Sequence, residues 1–218
     1  MEYKVIRQKR KSITMRLIEM ELLEVKVPLK MPMNIIEDFI EKNSLWIQGQ
    51  QIYLQGMIYF ETGAKILISG ESKTIEIKKA YQNKVILGEN NLTVYSKDLE
   101  HDYVLNLFFE WMRGWTRREI EASLVHYGQF IDKPYRDIRI KNQKTRWGSC
   151  SSKANLNFNL RCGMMPPFVR DYIVVHELCH LIHMNHSAEF WNLVAEVYGD
   201  YKRALQWLKD NGYQLDIR

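Results

Sequence analysis

The chain has 218 residues, with 31 Lys and Arg against 26 Asp and Glu for a net charge of +5, and 46% of it is hydrophobic and 12% aromatic. That composition excludes a disordered chain, which lacks the apolar surface to offset ordering entropy, and it suits one compact domain or a small domain fused to a larger one. Cys150, Cys162 and Cys179 form neither a CxxC pair nor a secreted disulfide framework, the N-terminus has no apolar leader run, and no apolar run approaches the ~20 residues of a membrane span. A cytoplasmic protein with reduced thiols and no membrane partner is expected.

The first 95 residues read mainly as strands. Tyr3 to Arg7, Ser12 to Leu17 and Glu24 to Val27 carry branched, alternating residues that predict a hairpin or meander. The basic stretch of Lys4, Arg7, Lys9, Arg10 and Lys11 reads as a solvated turn between two of them, with a nucleic acid as the alternative partner. A helix opens near Pro32, with Ile35, Ile36, Phe39, Ile40, Leu45 and Trp46 at helical spacing. Strands are then predicted over Gln51 to Leu54, Ile58 to Glu61, Lys65 to Ile68, Thr74 to Lys78, Lys84 to Leu87 and Leu92 to Tyr95, divided by Gly and Asn turn signals. From Asp98 to about Phe130 the pattern of Leu105, Phe108, Phe109, Met112 and Trp115 predicts one long helix, with Gly114 as its weak point. Two strands, Ile138 to Lys141 and Leu156 to Leu160, precede a stretch from Pro167 that reads as helical nearly to the end. The expected fold is α+β: a strand-rich N-terminal module over 1–97, then a mainly helical module over 98–218.

Chemistry concentrates between Val174 and His186, which read VVHELCHLIHMNH. His176 and His180 are four apart, so on a helix they project from one face about 6 Å apart along the axis, close enough to share one cation. Such a helix is apolar nearly all round and belongs in a core, where imidazoles and a carboxylate need partners. A zinc ion (Zn²⁺, one per chain) meets that need: it retains a water whose pKa falls to about 7, with Glu177 beside it as the base. Catalytic zinc takes three protein ligands. His183 lies about 10 Å along the axis from His176, too far to share the ion. His186 follows Met184-Asn185, where Asn permits the chain to turn back towards the metal; Glu196 on the following helix is the competing ligand.

Three segments carry a resemblance: KTRWGSCSSKANLNFN from Lys144, DYIVVHELCHLIHMNHSAEFW from Asp171 and YKRALQWL from Tyr201. In them the chain resembles the YgjP-like metallopeptidase-domain family, related to the SprT and WLM groups of zincin-fold proteins. The resemblance implies a zincin-like catalytic module, metal ligation by His176, His180 and His186, and Glu177 as catalytic base. It does not bring the tight metzincin turn, because His183 stands where that turn has its glycine.

In a zincin an edge strand above the metal helix pairs with an extended peptide, so the strands near Arg146 to Cys150 or Leu156 to Asn159 are candidate cleft walls, and Gly148 would let backbone come close. Trp147 reads as core anchor or substrate platform, and Arg146 as ion-pair partner or anion clamp. Three functions follow. A metallopeptidase would attack a peptide or protein through the water that Glu177 activates. A nucleoside triphosphate pyrophosphohydrolase would hold phosphate charge with Lys144, Arg146 and Arg161. A nucleic-acid-associated binding protein would use the metal structurally, and would leave Glu177 without a purpose. Composition is silent on oligomeric state.

Overall fold

The first three strands are β1 (Glu2–Gln8), β2 (Thr14–Glu19) and β3 (Leu22–Pro28), and β3 lies between the other two, parallel to β1 and antiparallel to β2. The computed structural model describes residues 1–55, 57–143 and 145–217. The alternation in β3 sends Leu23, Val25 and Val27 to one face, where they are fully buried with Ile36 of α1 (Met33–Lys42) and Ile47 of α2 (Ser44–Gln55). The single helix expected here is thus two, parted at Asn43, and the strand expected over Gln51 to Leu54 is the end of α2: its apolar residues follow the helical period beyond the break. Arg7 donates to the Leu29 and Met31 carbonyls and Arg10 to Thr14, so two cations of the basic stretch serve the unit's own loops.

These elements form one compact unit, Met1–Met57, and the rest of the chain a second, Ile58–Arg218. The division expected near residue 97 corresponds to no gap in packing. Ile66, Ile68, Ile75, Leu92 and Val94 share one buried cluster with residues of the helices that follow them. The change of composition at 97 marks the start of a helix laid on that sheet, and burial rather than composition sets the edge of a unit.

In the second unit, β4 (Lys65–Ile68), β5 (Glu71–Lys79), β6 (Lys84–Leu87) and β7 (Asn91–Ser96) pair in the order β4-β5-β7-β6, with β5 and β7 parallel. Ile58 makes only an isolated bridge to Ile217, in place of the strand expected there. Helix α3 (His101–Gly128) starts where the Glu100 carboxylate accepts the Tyr103 N–H at 2.8 Å, and it runs through Gly114 unbroken. A second sheet holds β8 (Asp137–Lys141), β9 (Gly148–Cys150) and β10 (Asn155–Asn159) in the order β8-β10-β9, which leaves β9 at an edge. Helices α4 (Pro167–Cys179), α5 (Ala188–Tyr198) and α6 (Tyr201–Asn211) close the chain. The architecture is α+β, and among the described residues no helix is long and apolar enough to cross a membrane.

Helix α4 carries the histidine motif and is pinned from several sides. Pro167 starts it at the position where a missing N–H costs nothing. Val169, Ile173, Val174, Val175 and Leu178 are at most 3% exposed, so the helix runs through the core rather than over it. Asp171 accepts from Ser123 of α3 at 2.5 Å, and Arg170 pairs with Glu119 of α3 at 2.8 Å. The Ser69 and Gly70 N–H groups reach the Gly163 and Met164 carbonyls. Gly70 has φ +83° and a Cβ there would lie 2.8 Å from Pro166, so only glycine brings the β4–β5 turn to the root of α4.

Candidate metal centre

His176 Nε2 lies 3.2 Å from His180 Nε2 and 3.1 Å from His186 Nε2, and the three rings form a cluster whose ligand atoms all fall within 4.8 Å of one another. Each ring comes from a different local setting. His176 sits in the last turn of α4, His180 is the residue that caps it, and His186 stands immediately before Ser187, the N-cap of α5. The chain gets from the second to the third by abandoning the helix after Cys179: Leu181 and Ile182 bond back three residues, to Leu178 and Cys179, and Lys133 takes the Leu181 carbonyl. Phe190 and Trp191, one turn into α5, stack on His180 and His186 respectively.

Hydrogen bonds at Nδ1 orient two of the three rings and fix the tautomer of one. His180 Nδ1 lies 2.9 Å from the His183 carbonyl, which can only accept, so the proton is on Nδ1 and the Nε2 lone pair points into the cluster. His176 Nδ1 lies 3.3 Å from the Tyr172 hydroxyl. Burial, with His180 and His186 adding to it, drives the His176 pKa down to about 3, and burial also lowers that of His180. Bare lone pairs at such separations repel unless a cation lies between them. Four-coordinate zinc with bonds of about 2.05 Å has ligand atoms about 3.3 Å apart, and the two separations from His176 Nε2 match that value. His183 contributes its carbonyl rather than its ring, and Glu196 is outside the cluster.

Glu177 is 4% exposed, and its Oε2 has no hydrogen-bond partner. Burial pushes its pKa up to about 8; the nearby Arg146 guanidinium and the Cys150 N–H draw it part of the way back. Strand β9 lies directly on this carboxyl: a Cβ on Gly148 would stand 2.5 Å from Oε1 and 2.7 Å from Cγ. Gly148→Ala is expected to displace Glu177, at an overpacking cost of about 1–3 kcal/mol. Turnover and melting temperature should both fall while the histidine cluster keeps its metal content; unchanged turnover would mean that the contact does not position Glu177.

Among the described residues β9 pairs on one side only, with β10. Asn159 N–H bonds to the Trp147 carbonyl and Ser151 N–H to the Asn155 carbonyl, in a register that pairs Gly148 with Phe158 and Cys150 with Leu156. Backbone groups of an antiparallel strand alternate sides, so those of Gly148 and Cys150 face away from β10, and the Cys150 N–H reaches Glu177. Two hollows meet along the line of Arg146, Gly148, His176 and Glu177. One, of about 270 Å³, also holds His180, His186 and Cys150; the other, of about 250 Å³, is walled by Trp147, Tyr172, Ile173, Leu205 and Leu208.

The remaining expected site residues divide. Arg146 lines both hollows and Trp147 one, while Trp147 also packs against the main core. Arg161 lines neither: it is paired with Asp216 at 2.5 Å, and the ion pair ties the C-terminal segment down. Its sequence neighbourhood suggested a phosphate clamp, but tertiary structure supplies a carboxylate first. Lys144 lies outside the described residues.

Sequence reasoning missed Tyr172, which sits four residues before His176 on the same helix face. That spacing is the signal that would have found it. Tyr172→Phe keeps the ring and removes the partner of Nδ1, and zinc affinity should fall about 10-fold, as it does when such supporting groups are lost. A competition titration with a zinc chelator reads this directly; an unchanged affinity would show that the hydroxyl does not orient the ring.

Three imidazoles whose Nε2 atoms converge, next to a buried carboxyl and an edge strand, are the equipment of a metal-dependent hydrolase. Residues 11–211 match the family described as YgjP-like, metallopeptidase domain, and the chain belongs to that family. No protein of curated function matches it.

Proposed function

We propose that the protein is a zinc-dependent metallopeptidase, with His176, His180 and His186 holding the ion and Glu177 as general base. The observation that carries this reading is the Glu177 carboxyl, buried beside three convergent imidazoles and pressed against the open edge of β9. Bound zinc would supply Lewis acidity, polarising the scissile carbonyl and lowering the pKa of a water molecule to about 7. A carboxyl whose proton affinity is already matched to that range takes the proton from the water and passes it to the leaving amine. The outward N–H and C=O groups of Gly148 and the C=O of Cys150 would hold an extended chain across the carboxyl by strand addition, the Cys150 N–H being engaged with Glu177 itself.

A nucleoside triphosphate is the less well supported substrate. Its several negative charges call for converging cations, whereas among the described residues lining the two hollows Arg146 is the only Lys or Arg. A purely structural metal would leave a buried carboxyl, one of its oxygens without a hydrogen bond, with no return on its desolvation. The three free cysteines fit a reducing compartment such as the cytoplasm. The test is a screen of zinc-loaded protein on peptide pools and nucleoside triphosphates, with Glu177→Gln as the blank. Peptide cleavage absent from the blank supports the reading; release of pyrophosphate alone would replace it by the nucleotide reaction.

A further inference from the structure

The two hollows differ in kind, and β9 gives them a direction. His180 and His186 are on one side of Glu177 with Ser149 and Cys150; the far wall of the second hollow is on the other, with Trp147, Leu205 and Leu208, and Arg146 borders both. A peptide lying antiparallel to β9 would have its amino-terminal side at Cys150 and its carboxyl-terminal side at Arg146. The second hollow therefore receives what lies on the carboxyl side of the scissile bond.

Its lining is selective. Ile173 is 3% exposed and forms part of the base, Leu205 and Leu208 come from one face of α6, and Trp147 is backed by the chain at Gly212. Among the described residues its polar groups are those of Tyr172, His176, Glu177 and Arg146 on the side of the carboxyl, and the rest of the wall is apolar, with no Ser, Thr, Asn or Gln. At about 250 Å³ it has room for a leucine or phenylalanine side chain. Among the described residues the one permanent cation along its border is Arg146, an exposed side chain that makes no hydrogen bond or ion pair and lies near enough to Glu177 to lower its pKa. A guanidinium left free beside an apolar hollow matches a carboxylate two-pronged and at fixed orientation. An apolar side chain and a carboxylate on the same residue occur together at the end of a peptide.

We infer that the second hollow binds the C-terminal residue of a peptide, its apolar side chain among Trp147, Ile173, Leu205 and Leu208 and its free carboxylate on Arg146, so that the enzyme acts as a carboxypeptidase. This rests on the peptidase reading above. In each turnover the last C–N bond breaks; the water oxygen ends in the new terminal carboxylate of the shortened peptide, and a water proton ends on the amine of the released amino acid.

The experiment uses zinc-reconstituted full-length protein and one short peptide ending in Leu, Phe, Lys or Asp, each as free acid and as amide, with cleavage mapped by mass spectrometry. The free acids ending in Leu and Phe should lose their last residue, and the amides should fall behind in kcat/KM by about 10- to 100-fold, the value of a charge-assisted pair. Arg146→Met should erase the difference between acid and amide with zinc content unchanged. Leu205→Trp, a change at an exposed position, should turn the preference from Phe towards Ala. Amides cut as fast as acids, or cleavage confined to the interior of the peptide, would overturn the inference and leave peptide hydrolysis standing. No cleavage of any peptide would overturn both.

Discussion

Glu177→Gln is expected to lower turnover by about 10²- to 10⁴-fold, the range ascribed to a positioned general base, while zinc stays bound. The amide keeps the shape of the side chain against Gly148 and loses the ability to take a proton. The same substitution should stabilise the metal-free protein. In the folded chain the Glu177 pKa is about 8, against an ordinary carboxyl value near 4.5, so at pH 7 its burial costs on the order of 3 kcal/mol. Because the folded value is raised, the contribution of this group to stability is fully present below about pH 4.5 and is lost as the pH rises through 8. Metal-free Glu177→Gln should accordingly melt several degrees above wild type at pH 7 to 8, and the two should converge towards pH 4.5. A variant that melts with or below wild type across that range would show that the carboxyl is relieved by something other than a metal.

Zinc itself is expected to raise the melting temperature of the metal-free protein by about 10 °C when present at a thousandfold excess over its dissociation constant, since that linkage contributes about 4 kcal/mol. The structural reason is that the folded chain has already brought three Nε2 lone pairs together, with the His176 pKa at about 3. A lowered imidazole pKa gives stability that is present above about pH 6.5 and is lost as the pH falls towards 3, so acid should loosen the metal-free centre as well as release the ion. The shift with zinc should vanish in His180→Ala, whose remaining two rings cannot close the set. A shift of equal size in that variant would place the stabilising ion elsewhere.

Much of this centre could be read from spacing. His176 and His180 had to share a face if the segment were helical, and the apolar surround made the helix a core helix. What ends that helix was not legible. Leu181 and Ile182 continue the apolar pattern, yet the chain leaves the helix after Cys179, where side-chain donors take the carbonyls: Lys133, 48 residues away, reaches that of Leu181, and the His180 ring that of His183. The same holds for Arg161, whose partner Asp216 is 55 residues away. The edge between compact units at 57 escaped notice because residues 51–61 change neither in charge nor in polarity; only the packing of Ile66, Ile75 and Val94 against the helices reveals it. The zincin resemblance offered two segments as a cleft wall, Arg146 to Cys150 and Leu156 to Asn159, and β9 is the one of them that lies at a sheet edge. That Gly148 faces Glu177 in particular required the sheet register.

The most direct test of the centre is zinc content by elemental analysis, after stripping and reconstitution, of wild type and His176→Ala. About one zinc per chain in wild type and almost none in the variant is the expected result, since His176 lies within 3.2 Å of both other rings. Equal zinc in the two proteins, or none in wild type, would contradict a metal held by His176, His180 and His186.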